Sequence, residues 1–206
     1  DTVEEAKRSA EERARAGGVD ADAEDEDDDA QRGGKRFGRD KSTANGSSIA
    51  FILEAGEARW LLAGDAHADV LVRGLSRYAA EIGEQRVRLD GFKLPHHGSM
   101  SNVTADLLDL IDCRQYLVST NGKYFKHPDA ACLDLVVERS STPTLLFNNL
   151  VESTKPWAAP SDRFLAVFPQ SEEGGLVVGR GAAPQPTPVA PAADSSADNG
   201  AHPASA

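Results

Sequence analysis

The chain has 206 residues with a hydrophobic content of 40%, which is enough for one domain of ordinary size with its own core. Its formal net charge of -11 is concentrated in residues 1–29, which hold thirteen acidic and four basic side chains, so the charge says nothing about the sign of a substrate. No apolar run reaches the roughly 18 residues that cross a bilayer, and no basic-then-apolar signal opens the chain. These exclusions predict a cytoplasmic protein with no membrane partner.

Composition divides the chain into three parts. Residues 1–44 are predicted to form a disordered acidic linker or insertion, and residues 45–181 a folded part. Residues 182–206 are predicted to form a disordered tail rich in Pro and Ala, which excludes His202 from any site. The basic stretch 32–39 gives nucleic-acid binding only weak support, because a long acidic run precedes it.

Alternating and periodic apolar residues predict a hairpin of two strands, followed by helices and strands in turn. The predicted strands are 48–54, 58–63, 87–94, 115–120, 142–148, 164–169 and 175–178. The predicted helices are 68–82, a short helix capped by Ser101 or Asn102, and a helix from Pro128 to Val137. This order predicts an α/β fold, with a mixed sheet and helices packed on it.

Polar side chains follow two of these strands at the point where each strand ends. Asp65 follows a glycine, in a turn that suits a metal ligand and equally suits a helix N-cap. His96 and His97 point in different directions, so one can bind an ion while the other orients a ligand; hydrogen-bonded surface histidines are the alternative. The carboxyl ends of strands in a layered α/β fold meet at one rim, where we expect these side chains to converge. Lys93 can reach the same rim or face solvent.

Two further histidines lie near this rim. His127 can be a metal ligand, a proton donor to a leaving group, or only the residue that enters the next helix. His67, two residues after Asp65, is expected to face solvent from the helix that it begins.

Five motifs, in order, resemble the landmarks of one family. They are Asn45-Gly-Ser-Ser-Ile-Ala-Phe, Leu61-Leu-Ala-Gly-Asp65, Lys93-Leu-Pro-His-His-Gly-Ser99, Ser119-Thr-Asn-Gly and His127-Pro. Over about residues 45–180 the chain resembles the carboxy-terminal half of a metallo-β-lactamase-fold hydrolase. The likeness is greatest to the branch that contains the hydrolase-like domain of ComEC-type competence proteins.

The resemblance implies half of an αββα sandwich and a site for one or two Zn or Mn ions. It implies cleavage of a phosphodiester or other ester bond by a metal-bound hydroxide. Asp65 matches the family's bridging aspartate, and His96 or His97 completes the metal ligands, with His96 assigned here. His97 and His127 are then expected to assist the substrate or its leaving group.

One departure from the family is large. Its principal metal motif, His-x-His-x-Asp-His in the amino-terminal half, does not occur here, since no histidine precedes Asp65. The chain begins at Asp1 and its only methionine is Met100, so we expect a piece of a longer product that lacks the amino-terminal half of the domain; a degenerate relative that has lost its metal is the alternative. Either way the isolated chain is expected to be inactive, with one sheet face uncovered. A non-catalytic module for partner binding or regulation is the second functional hypothesis.

Overall fold

A computed structural model describes residues 30–32, 35–123, 125–170, 175–179 and 185–186. The chain divides into two compact units, Asp1–Gly38 and Arg39–Ala206. In the first unit, strands β1 (Ala30–Arg32) and β2 (Lys35–Phe37) pair in antiparallel fashion. Most of the predicted linker 1–44 and of the predicted tail 182–206 lies outside the described residues.

The second unit contains all the other helices and strands that the structure describes. In chain order they are α1 (Thr43–Gly46), β3 (Phe51–Ala55), β4 (Ala58–Leu62), α2 (Ala68–Ile82), β5 (Val87–Leu89), β6 (Gly91–Lys93), α3 (Ala105–Asp109), β7 (Ile111–Cys113), β8 (Gln115–Val118), α4 (Ala130–Arg139), β9 (Thr144–Phe147), β10 (Leu165–Val167), β11 (Leu176–Val177) and β12 (Gln185–Pro186). Short 3₁₀ turns occupy Pro95–Gly98 and Lys155–Ala158.

Six strands form one sheet in the order β10-β9-β8-β6-β4-β3. The β3-β4 pair is antiparallel and the other pairs are parallel, so the sheet is mixed. Strands β5 and β7 pair separately, as do β11 and β12. The predicted α/β fold with a mixed sheet and helices packed on it is therefore confirmed, and it is consistent with half of an α/β sandwich.

One face of this sheet lines the hydrophobic core of the unit. Leu61, Phe92, Tyr116 and Leu145 are neighbours across four strands on this face, and all four are buried. The Tyr116 hydroxyl lies 2.7 Å from the Oγ of Ser140, which caps the carboxyl end of α4. A helix therefore covers this face, as expected for the apolar side of a layered fold.

The opposite face is also apolar, but it is covered less completely. Phe51 is 49% exposed and Leu53 is 47% exposed on the edge strand β3, and Leu165 is 54% exposed at the other edge. The segment 175–179 lies over the middle of this face, where Gln115 Nε2 donates to the carbonyl of Gly179 across 3.4 Å. Exposed apolar side chains on one sheet face indicate a surface suited to further packing.

Helix α2 has 15 residues and is the longest described helix. It ends where Gly83 adopts a left-handed φ of 72°, and the N–H of Gly83 bonds to the carbonyls of Ala79 and Ala80. Within the described parts of the chain, no helix has the length and apolar character needed to cross a membrane.

The predicted strand 87–94 is two strands in the structure. Asp90 interrupts it because its N–H donates to the Arg59 carbonyl across 2.8 Å, while its carboxylate accepts the Arg59 N–H at 2.9 Å. The chain before Asp90 turns to pair with β7, and the chain after it joins the main sheet. The Asp90-Gly91 dipeptide, which is typical of turns, is the sequence signal for this break.

Candidate functional site

Three of the predicted histidines come together beyond the carboxyl ends of the parallel strands. The ring of His96 lies 5.2 Å from the ring of His127 and 6.2 Å from the ring of His97, measured between centroids. These three side chains are called the imidazole cluster below. The parallel strands deliver them from two loops to one rim of the sheet.

The turn that carries His96 and His97 has an unusual backbone. His96 has a φ of 44°, His97 a φ of 58° and Gly98 a φ of 85°. The His96 N–H donates to the carbonyl of Gly64 across 3.0 Å, which ties this turn to the turn that carries Asp65. Consecutive left-handed residues are uncommon outside glycine and mark a position held by its surroundings.

Gly98 joins this turn to the loop of His127. A Cβ added to Gly98 would lie 2.9 Å from the Cβ of Pro128. The Asp129 N–H donates to the carbonyl of Gly98 across 3.0 Å, and the Asp129 carboxylate accepts the N–H of Met100 at 3.0 Å. Only a glycine permits so close an approach, and this explains how His127 reaches His96 and His97.

A buried polar network surrounds Nδ1 of His96. Oδ1 of Asn102 lies 3.1 Å from this nitrogen and Oδ2 of Asp40 lies 3.5 Å from it. Asn102 is fully buried and donates through Nδ2 to the same Asp40 oxygen across 2.8 Å. Asn45 Nδ2 donates to that oxygen across 2.7 Å. Asp40, Asn45 and Asn102 are called the Asp40 network below.

Asp40 is an acidic residue beside the cluster that sequence reasoning missed. Burial alone raises the pKa of its carboxyl, but hydrogen bonds from Asn102, Asn45 and the Ser42 N–H outweigh it and hold this pKa below its usual range. Asp40 falls near the end of the predicted linker 1–44, but in the structure it belongs to the second unit, which starts at Arg39. The sequence pattern predicts a cap at Ser101 or Asn102, whereas the N-cap of α3 is Thr104.

His97 and His127 differ in how their Nδ1 atoms are paired. Nδ1 of His97 lies within hydrogen-bond distance of the carbonyl of Ser119, so it must donate and leave Nε2 with the lone pair. Nδ1 of His127 is buried without a hydrogen bond from any described residue, and it lies 3.5 Å from the Asp129 carboxylate. An imidazole next to a carboxylate can gain or lose a proton without a large rearrangement.

A cleft of about 340 Å³ opens beside His97 and His127. Lys123 and Lys126 line it with exposed ammonium side chains, and neither forms an ion pair with the part of the chain that the structure describes. Asn148 accepts the Thr120 N–H through Oδ1, which leaves its amide nitrogen available to a ligand. The cleft therefore combines cationic groups and hydrogen-bond donors with two imidazoles.

Phe125 forms an aromatic wall on this side of the cluster. It is 75% exposed, and its ring stacks on that of His127 with centroids 6.1 Å apart and an interplanar angle of 23°. It also meets the His96 ring edge-on at 6.1 Å. An exposed aromatic ring on a polar cleft offers a planar surface to a ligand.

Asp65 lies at the same rim, but it is not the helix cap. The N-cap position of α2 is occupied by His67, and the Asp65 N–H donates to Oγ of Ser48 across 3.2 Å. The expectation that His67 faces solvent is wrong, because its Nε2 donates to the Ser42 carbonyl at 3.0 Å and its ring packs on Gly46.

Lys93 reaches the rim next to Asp65 instead of facing bulk solvent. Burial lowers the pKa of its ammonium, and the negative charge of Asp65 opposes that shift in part. Lys93 also lines a second cavity of about 150 Å³ between the less covered sheet face and Leu176.

The described residues do not by themselves form a metal centre. No three of their His, Cys, Asp and Glu side chains are grouped so as to hold an ion. Asp65 and His96, the predicted ligands, are therefore too few for the usual coordination of zinc or manganese. A bound metal would need ligands from outside the described part of this chain.

Comparison with protein-family models, with curated proteins and with solved structures finds no significant match to this chain. The metallo-β-lactamase resemblance consequently stays a prediction from the five motifs.

Proposed function

We propose that this chain supplies the carboxy-terminal half of a hydrolase that resembles the metallo-β-lactamase superfamily and cleaves a phosphodiester or another ester. The observation that carries the proposal is the imidazole cluster beside a cleft with two cationic side chains. Neutral imidazoles exchange protons near neutral pH, and a cleft at the carboxyl ends of parallel strands is a common place for a substrate.

His97 and His127 are assigned to acid–base work. The Ser119 carbonyl keeps the proton of His97 on Nδ1, so Nε2 of His97 is the atom that accepts a proton or binds a ligand. Nδ1 of His127 lies 3.5 Å from the Asp129 carboxylate, and we assign to His127 the protonation of the leaving group.

Lys123 and Lys126 favour an anionic substrate over a neutral ester, thioester or amide. Their charges line the cleft together with the amide of Asn148. Ammonium and amide N–H groups both stabilise phosphate oxygens, and the negative charge of a phosphodiester grows on those oxygens as it reacts. A phosphodiester is therefore the substrate class that this cleft suits best.

The proposal includes one or two Zn or Mn ions, bound jointly by Asp65, by His96 and by ligands of the amino-terminal half that the resemblance implies. A bound ion would supply a nucleophilic hydroxide at neutral pH. The roles given to His97, His127 and the lysines concern their own protons and charges and do not depend on where an ion binds.

Steady-state hydrolysis of bis(4-nitrophenyl) phosphate tests the proposal. A protein that contains both halves of the domain is expected to be active with added Mn or Zn, and His97→Ala is expected to lower kcat about 10²–10⁴-fold, as loss of a general base does. His202→Ala is the matched control and should keep full activity. Absence of hydrolysis with either metal, or a His97→Ala variant as active as wild type, would overturn the proposal.

A second candidate is a non-catalytic module that binds a partner. The observation that favours it is the half-exposed apolar surface of Phe51, Leu53 and Leu165 on one sheet face. Substitution of Phe51 and Leu53 by Ser separates the two candidates. A partner-binding module would lose binding and a hydrolase of intact fold would keep its cleft chemistry.

A further inference from the structure

The orientation of the Asn102 amide determines which ring nitrogen of His96 carries the proton. Nδ2 of Asn102 lies 2.8 Å from Oδ2 of Asp40 and 3.3 Å from each of two backbone carbonyl oxygens, those of Asp65 and Ala66. Three acceptors around one atom require that atom to be the amide nitrogen. Oδ1 of Asn102 therefore faces His96.

An amide oxygen at this position accepts a hydrogen bond and cannot donate one. Oδ1 of Asn102 lies 3.1 Å from Nδ1 of His96, and Oδ2 of Asp40 is a second acceptor at 3.5 Å. Nδ2 of Asn45 also lies 3.4 Å from Nδ1, but its shorter bond of 2.7 Å goes to Asp40. The two oxygens therefore favour a proton on Nδ1 of His96.

We propose that Asp40 is a positioning residue that acts through Asn102 and holds the His96 ring with its proton on Nδ1, which leaves the lone pair on Nε2. Asp40 is suited to this task because its side chain is only 9% exposed and its second oxygen accepts the Ser42 N–H across 2.9 Å. A carboxylate fixed by several donors orients an imidazole in this way without reacting itself.

The same carboxylate lies near a second histidine with the opposite arrangement. Nε2 of His67 is 3.7 Å from Oδ1 of Asp40 and donates to the Ser42 carbonyl across 3.0 Å. His67 should therefore carry its proton on Nε2, whereas His96 should carry it on Nδ1. The two histidines provide an internal reference, since both rings lie within 4 Å of the Asp40 carboxylate.

The positioning role in hydrolysis rests on the proposed function, but the protonation of the two rings does not. Two-bond ¹H–¹⁵N NMR spectra of the chain, recorded near neutral pH, distinguish the two neutral forms of each imidazole. The expected result is His96 protonated at Nδ1 and His67 protonated at Nε2. A wild-type spectrum with His96 protonated at Nε2 would overturn the proposal without any variant.

The variant Asp40→Asn extends the test. It should shift His96 toward a mixture of the two forms, whereas Asp69→Asn, an exposed carboxylate on α2, should leave the His96 signals unchanged. An unchanged His96 in folded Asp40→Asn would contradict the role of Asp40.

Kinetics then separate this proposal from the previous one. In an active protein, Asp40→Asn should lower kcat about 10–100-fold, as loss of an orienting partner does, with KM nearly unchanged. If the wild type shows the expected protonation but hydrolyses no ester, the proposed function fails while the assignment of Asp40 stands.

Discussion

On one side of the imidazole cluster, Asn102 is fully buried and the Asp40 carboxylate, only 9% exposed, accepts three hydrogen bonds. On the other side, Lys123, Phe125 and Lys126 are exposed around an open cleft. Buried polar groups must be paired to be tolerated, whereas exposed cations can stay available to a ligand. The comparison indicates that one side holds the histidines in place and the other side receives the substrate.

The largest loss of stability is expected from removing Asn102, at the centre of the Asp40 network. Asn102→Ala would leave the Asp40 carboxylate without one of its donors in a buried place, which costs about 3 kcal/mol of unfolding free energy, at the upper end for bonds to charged groups. Urea unfolding of the variant measures this. Asn121→Ala, an exposed amide on the cleft side, should stay within about 0.5 kcal/mol of wild type. Equal losses in both variants would remove the distinction between the two sides.

A slightly smaller loss of stability is expected at Gly98, where the turn of His96 and His97 contacts the loop of His127. Gly98→Ala places a Cβ against Pro128 at a φ of 85°, which should destabilise the fold by about 1–3 kcal/mol. Gly74→Ala, in the exposed middle of α2 with no atom within 4 Å of the added Cβ, should instead stabilise the fold by about 0.5–1 kcal/mol. Thermal unfolding distinguishes the two signs. A neutral Gly98→Ala would show that the two loops are not tightly joined.

Strong acid should weaken the Asp40 network by protonating its carboxylate. Because the pKa of Asp40 lies below its model-peptide value of 3.8, its contribution to stability is complete above that value and is lost as the pH falls through the lowered pKa. Unfolding free energies measured from pH 6 to pH 2 should fall less steeply for Asp40→Asn than for wild type. Identical slopes would mean that Asp40 is as well solvated in the folded chain as in the unfolded one.

The smallest effect on stability is expected for the exposed lysines that line the cleft. The double variant Lys123→Ala and Lys126→Ala should unfold within about 0.5 kcal/mol of wild type, yet bind inorganic phosphate about tenfold more weakly, since each exposed charge contributes about 1 kcal/mol or less. Lys155→Ala, whose ammonium pairs with Glu152, is the control. Calorimetric titration provides the affinities. Unchanged phosphate affinity would show that the cleft does not bind anions through these lysines.

The sequence predicted the rim because strand ends and turn residues are local signals. Asp65, His96 and His97 each follow a short apolar run, and parallel strands bring such ends together. The Asp40 network could not be predicted in the same way, since Asp40 and Asn102 are 62 residues apart in the chain. Asp40 also follows a long stretch of low complexity, in which a single acidic residue carries no signal of its own.

The two sheet faces show a second limit of sequence reasoning. Leu61 and Leu62 are consecutive apolar residues, which is typical of a strand buried on both faces. In the structure Leu61 is buried against the helix-covered face, whereas Leu62 lies on the face that is covered less completely. Which apolar face receives a covering layer depends on chain connectivity and on partners, neither of which a strand pattern encodes.

The most direct test of the central claim is an NMR titration of the chain with diethyl phosphate, a phosphodiester that resists hydrolysis. If the cleft beside the imidazole cluster is a substrate site, the signals of His97, Lys123, Lys126 and His127 should shift together and saturate, while those of Phe51 and Leu53 stay in place. Shifts confined to the exposed sheet face, or none at any concentration, would contradict a phosphodiester site in this cleft.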